Sequence, residues 1–308
     1  MPSGIQLNRT AVSLPADLSR EIMQTAVGES AIMQLAKRVV LPGHGLDIPT
    51  ITGDPEAEWV TETDAKPVKN PGVGMKNMRG FTLSVILPFS NQFRRDLAGL
   101  YDNIVARLPG ALGMKFDRTV IGAVAAPGAG FDNLSTATAQ SLLKTLNADA
   151  YSGLVAAKKD IAAHGGVVNG WALGPQGESL LLEARDGDNR PFFLGNVADA
   201  AIPRILGAPT KTGRGIYVAG TAAGASGAGS PEIVGIAGDW SQAMYGIVED
   251  VQISISDQAT LTYLDDGNNT VTINLWQRNM FAVRCEIEAG FVANVAAFNL
   301  LTGATPES

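Results

Sequence analysis

The chain has 308 residues, 45% hydrophobic and 17% charged, with a formal net charge of −7 and one cysteine, Cys285. That is enough apolar material for one elaborate unit or two lobes, while the acidic balance argues against general nucleic-acid affinity, which needs a basic face to displace counterions. The lone cysteine excludes an internal disulfide, and no stretch approaches the roughly 20 apolar residues a membrane helix requires.

The opening Met1-Pro2-Ser3 lacks the basic and apolar regions of a signal peptide, so synthesis and folding in a cytoplasm are expected. Residues 1 to 16 read as an extended arm. Asp17 can cap a helix running to Val39, with Leu18, Ile22, Ile32 and Leu35 at helical spacings, ended by Pro42-Gly43-His44-Gly45. From Leu46 to Pro88 the pattern is strand-like. Lysines, prolines and glycines separate Glu58-Trp59-Val60 from the strand at Phe81–Val85, which predicts a long two-stranded hairpin loop with little core of its own, resting on a neighbouring molecule.

After Ser90 apolar residues recur at Phe93, Leu97, Tyr101, Ile104, Leu108, Leu112, Phe116 and Val120. A continuous helix there would be about 45–50 Å long, and Pro109-Gly110 should bend or break it. Residues 136 to 238 read as an α/β lobe: a helix over Tyr151–His164, a strand over Val167–Leu173, a short helix opened by Pro175, and a Gly-rich loop over Ala219–Ser230. Val251, Ile253 and Ile255, and then Val271, Ile273 and Leu275, alternate with polar residues. Asp266-Gly267 supplies a turn between these two strands, and a last strand runs from Asn279 to Ala289.

Catalytic signatures are missing. Lys211-Thr212 lacks the upstream glycine of a phosphate loop, and Gly224-Ala225-Ser226-Gly227 misses the spacing of a nucleophile elbow. His44 falls in a turn and His164 at a helix C-terminus, where a cation complements the helix dipole. Two isolated histidines and one cysteine make no zinc site, so no metal and no cofactor are expected. Cys285 alternates inward as a packing thiol. Trp59, Trp240 and Trp276 read as core residues by default, with a role as intersubunit anchors as the alternative. The residues alone leave function open.

The order of the elements closes that gap. An arm precedes a long loop that follows Glu58-Trp59-Val60. A long helix introduced by Pro88-Phe89-Ser90-Asn91, an inserted α/β lobe, Gly238-Asp239-Trp240-Ser241, and Asn279-Met280 with Val283-Arg284-Cys285-Glu286 and Phe298 then follow in turn. Along nearly its whole length this resembles the major capsid proteins of tailed bacteriophages with the Hong Kong ninety-seven-type fold. The resemblance implies an α+β fold with an N-terminal arm (1–45), an extended loop (46–85), a peripheral domain with a spine helix (86–135), an axial domain (136–238) and peripheral strands with the C-terminus (239–308). It implies hexamers and pentamers closing into an icosahedral head around double-stranded DNA, assembled in the host bacterial cytoplasm. The partners would be the chain itself, a separate scaffolding protein, a portal, a decoration protein and non-specifically packaged DNA, with no membrane.

Some members of that family weld neighbouring subunits through an isopeptide bond between a loop lysine and an asparagine, with a glutamate as base. The matching positions here are Lys66, Asn279 and Glu286, with Lys69 and Lys76 as competing lysines. The plainer alternative makes Lys66 a solvated charge, pairs Asn279 with backbone, and turns Glu286 to Arg284 or solvent. Other readings of the whole chain are an encapsulin-type shell, a tail component and a small-molecule-binding α/β domain.

Overall fold

The computed structural model describes residues 26–51, 57–61, 66, 68, 72–96, 98–143, 150–184, 202–222, 229–265 and 267–305. The arm over 1–16, the Asp17 cap with Leu18 and Ile22, Leu97, Lys69, Asp266 and the Gly-rich 223–228 lie outside them.

Residues 26–29 are helical, and Ser30 then caps a new short helix, α1 (Ala31–Leu35), its hydroxyl accepting from the Met33 N–H. The helix expected to reach Val39 therefore ends at Leu35, and β1 (Lys37–Val40) follows as a strand. Its parallel pairing with a later strand over Met244–Ile247 supplies the bonds that override the helical spacing. Gly45, at φ +92°, turns the chain into β2 (Leu46–Ile51), which pairs antiparallel with β3 (Val73–Met78). A Cβ at position 45 would also meet the Met78 carbonyl at 2.9 Å, so both the turn and the close approach demand glycine.

β4 (Phe81–Ser90) leads through α2 (Asn91–Asp96) into α3 (Ala98–Val120). The helix is not broken at Pro109-Gly110. α3 continues through Pro109 and spans 23 residues, about 35 Å, with Leu97, between it and α2, outside the described residues. Packing explains the tolerance. Residues 26–30 lie across the helix at this height, so close that a Cβ on Gly113 would stand 2.5 Å from the Ala26 carbonyl oxygen.

β5 (Thr138–Ser141), α4 (Ala150–Ala163), β6 (Gly170–Leu173), α5 (Pro175–Glu183), β7 (Arg204–Ile205), β8 (Ala208–Thr212) and β9 (Ile233–Gly238) follow. Then come β10 (Ala243–Ser256), β11 (Thr260–Leu264), β12 (Thr270–Asn274), β13 (Met280–Ala293) and β14 (Phe298–Thr302). A four-stranded sheet has the order β1-β10-β13-β4, and a six-stranded sheet has the order β5-β14-β9-β6-β8-β7. One expectation needs correcting. The turn at 265–269 joins β11 to β12, whereas the Val251–Ile255 stretch of β10 pairs with β13. A further strand that the sequence pattern did not reveal, Phe298–Thr302, sits between β5 and β9 in the six-stranded sheet. All five of its residues are buried, so it carries no alternation that a sequence reading could detect.

The cores follow from period-two strands and one helix stripe. Phe281, Val283, Cys285, Ile287 and Phe291 of β13 point to the same side as Leu108, Leu112, Phe116 and Val120 of α3, forming a helix-on-sheet layer. Trp171, Leu173, Val234 and Leu301 face a second core under α4 and α5. Ala172, Ile236, Phe298 and Leu300, on the opposite face of the same sheet, belong to the first. The six-stranded sheet is thus sandwiched.

Asp239 sits where the chain crosses from β9 towards β10. Its carboxylate accepts from the Val167 and Ser241 N–H groups, the Asn169 and Gln242 amides and the Ser241 hydroxyl. Burial pushes the Asp239 carboxyl up, but these donors outweigh it and hold the group below its ordinary value. Beside it, Trp240 packs edge-to-face on Phe298 at 5.1 Å and donates through Nε1 to the Gly170 carbonyl. This fulfils the core reading of Trp240.

Candidate assembly surfaces

The β2–β3 ladder has little of its own to rest on. Its nearest apolar support is a small cluster in which Leu41, Met78 and Val292 are buried, with Leu46 and Ile48 at the edge. Beyond the ladder, Trp59 is fully exposed at 105% and Val68 is 90% exposed. An apolar side chain in that state gains nothing from folding one subunit, so the loop presents material for a partner. The core expectation for Trp59 therefore fails, as it does for Trp276, which is 74% exposed in the turn after β12.

The three candidate crosslinking residues are not brought together within one subunit. Lys66 is an exposed loop residue. Asn279 takes φ +54° in the turn before β13. Its side-chain carbonyl accepts from the Asn91 amide at 2.7 Å, and its backbone carbonyl accepts from the Asn91 N–H at 3.1 Å. Glu286 lies six residues into the extended β13, about 20 Å beyond Met280, where it pairs with Arg284 Nη2 at 2.9 Å. Of the competing lysines, Lys76 is engaged inside its own subunit, donating to Asp132 at 2.8 Å and to the Ala293 carbonyl at 2.7 Å.

Sequence reasoning missed two surfaces. On the outer face of the four-stranded sheet, Glu249, Asp250, Glu286 and Glu288 line a cleft of about 140 Å³. These acids are brought together by the β10–β13 register, which a one-dimensional pattern does not show. On the other side a more apolar cleft of about 160 Å³ opens between α3, β4 and the loop 124–131. Phe131 packs edge-to-face on both Phe81 and Phe116, at 6.2 and 6.0 Å. Among the described residues no group of acidic, histidine and cysteine side chains could hold a metal ion, and no helix is long and apolar enough to cross a membrane.

Known proteins give this architecture its context. The probable major capsid protein gp17 of Mycobacterium phage D29 is 27% identical over 304 residues, spanning 94% of this chain and 89% of the relative. The structure from Gordonia phage Cozz superposes with a TM-score of 0.68 at 24% identity, covering 90% of this chain and 87% of that one. That from Mycobacterium phage Bobi gives 0.70 at 20% identity, covering 90% and 91%. The Phage capsid family matches residues 10–302, nearly the whole sequence, and the chain belongs to that family.

Proposed function

We propose that this chain is a major capsid protein that assembles with copies of itself, as hexamers and pentamers, into the icosahedral shell of a phage head. The observation that carries this reading is the family match over residues 10–302. The architecture supports it, because a two-stranded ladder ends in a loop whose exposed Trp59 has no core in its own subunit. The proposed partners are further copies of the chain, a separate scaffolding protein, a portal, a decoration protein and DNA held non-specifically. A net charge of −7 suits a wall that does not adhere to phosphate. Assembly is proposed to take place in the host cytoplasm. Electron microscopy of the chain co-expressed with its cognate scaffolding protein should show closed polyhedral shells. Soluble monomer under those conditions would remove the reading.

The finer reading is a covalent weld. Glu286 would take a proton from Lys66, and the freed amine would attack the Asn279 side-chain carbonyl carbon. An amide bond forms, the carbon–nitrogen bond to the departing amide breaks, and ammonia leaves. Because Asn279 and Glu286 are separated along an extended strand, such a site must draw its residues from more than one copy. Denaturing electrophoresis of mature particles should then show multimers in wild type and none in Lys66→Arg. Monomer alone in wild type would exclude the weld.

A further inference from the structure

We infer that Trp59 of one copy seats in the apolar cleft between α3 and β4 of a second copy, whose lining lysine, Lys115, is opposite in charge to the acidic sequence around the tryptophan. This rests on the assembly reading above and names the contact through which two copies would engage.

The occupant and the site are each incomplete alone. Trp59 leaves its whole surface in water, and a large amphipathic ring is the side chain that gains most from a preformed apolar pocket. The cleft holds about 160 Å³, and Phe81, Leu83, Phe116, Val124, Pro127 and Phe131 form its apolar walls. Its shape is fixed before any partner arrives. The loop is packed so tightly that a Cβ on Gly128 would stand 2.9 Å from the Phe81 ring, and the edge-to-face phenylalanines hold one another. A pocket whose walls are already packed suits an aromatic guest and spares it the cost of ordering the host.

Charge selects the pairing. Residues 54–64 carry five acids, Asp54, Glu56, Glu58, Glu62 and Asp64, and no base. Lys115 lines the cleft and Arg118 lies nearby on α3; both are exposed, and neither has an ion-pair partner among the described residues. The cleft on the outer sheet face is lined by four carboxylates and would repel the same segment. A polar third cleft, beside Gly28, Glu29 and Pro175, has Arg214 but no aromatic wall. Of these three clefts, the one between α3 and β4 combines apolar walls with a cation.

The test uses the full chain with its scaffold. Trp59→Ala should leave the monomer's unfolding midpoint unchanged and raise the concentration needed for half-assembly about tenfold or more. Lys115→Glu should weaken assembly similarly, and Glu58→Lys should restore it in the Lys115→Glu background. Mixing Trp59→Cys with Thr119→Cys under a mild oxidant such as diamide should give an intersubunit disulfide that neither variant gives alone. Wild-type shells with Trp59→Ala assembling at the unaltered concentration, or no disulfide in the mixture, would overturn the contact and leave the assembly reading intact. Absence of wild-type shells would instead bring down the assembly reading itself.

Discussion

The Ser30 hydroxyl donates a 2.5 Å hydrogen bond to Oδ1 of Asp117, joining residues 87 positions apart that are both fully buried. Oδ2 of the same carboxyl accepts from the Ala31 N–H at 3.0 Å, so one side chain on α3 fastens the start of α1. A Cβ on Gly215 would meet the Asp117 Cβ at 2.6 Å, which places the loop before Ile216 against the same point. Three separate stretches therefore converge on one acid.

That acid should make stability depend on pH. Burial lifts the Asp117 carboxyl to about 7, against the hydrogen bonds from Ser30 and the Ala31 and Ile32 N–H groups, which pull it down. The unfolded carboxyl titrates near 4. Between about pH 4 and about pH 7 the folded chain keeps a proton that the unfolded chain releases. Stability therefore falls as pH rises through that window and levels off above it, by on the order of a few kcal/mol. Asp117→Asn mimics the protonated form at every pH, with its carbonyl accepting from Ala31 and its amide donating to Ser30. Denaturant titrations at about pH 5 and about pH 8 should show wild type losing stability across the interval and Asp117→Asn changing far less. Equal slopes would mean that the folded chain carries Asp117 ionised.

Two glycines one turn apart on α3 should respond oppositely to alanine. Helix propensity favours alanine at each by about 1 kcal/mol. At Gly110 the new methyl would stand 3.1 Å from Cγ of Glu29, a side chain that can rotate away, so Gly110→Ala should be neutral or mildly stabilising. At Gly113 it would stand 2.5 Å from the Ala26 carbonyl oxygen, which cannot yield without lifting residues 26–30. Gly113→Ala should cost about 2 kcal/mol or more and expose that segment to protease. Thermal melts of the two variants side by side decide it.

The same geometry explains which features were legible in one dimension. The α3 stripe and the β13 alternation were readable because each buries one face of a regular element, and periodicity records that directly. A break at Pro109 does not occur because residues 26–30 pack across the helix there, and no local window contains that packing. Lys37–Val40 continues an apolar spacing that suits a helix, and only its distant partner Met244–Ile247 makes it a strand. The acidic cleft was illegible for a related reason: Glu249 and Glu288 are far apart in sequence and become neighbours through strand register. Lys66, Asn279 and Glu286 are suggested by resemblance alone, since nothing within one subunit draws them together.

Asp239 should behave as a structural hinge pin between the sheets. Removing it by Asp239→Ala strands the Val167 and Ser241 N–H groups and the Asn169 and Gln242 amides near the buried Trp240. The expected cost is about 3 kcal/mol, with loss of the blue-shifted emission of the buried Trp240. Because the folded carboxyl sits below its ordinary value, its contribution is complete above about pH 4 and fades as pH falls through the depressed value, the reverse of Asp117. Asp239→Asn retains one acceptor and should be hurt less than alanine at neutral pH. Equal loss in both would mean that charge, not hydrogen-bond count, holds the crossing.

Cys285 should be chemically silent until the chain unfolds. It lies in the middle of β13 with no exposed surface, between Ile253 of β10 and Val85 of β4. Burial, with a smaller contribution from the Glu286 carboxylate, pushes the thiol up to about 11. At pH 8 only about one molecule in a thousand would then hold the nucleophilic thiolate, and that one is shielded from solvent. Iodoacetamide should leave native protein unlabelled over hours and modify it fully within minutes in denaturant. Appreciable labelling of native protein would show that the β10–β13–β4 face opens on that timescale. Cys285→Ser puts a hydroxyl into an apolar layer and should cost about 1–3 kcal/mol, more than Cys285→Ala, which loses packing without stranding a polar group. If serine proved the milder change, the site would have to contain a hydrogen-bond partner that the surrounding Phe281, Val283 and Ile287 do not provide.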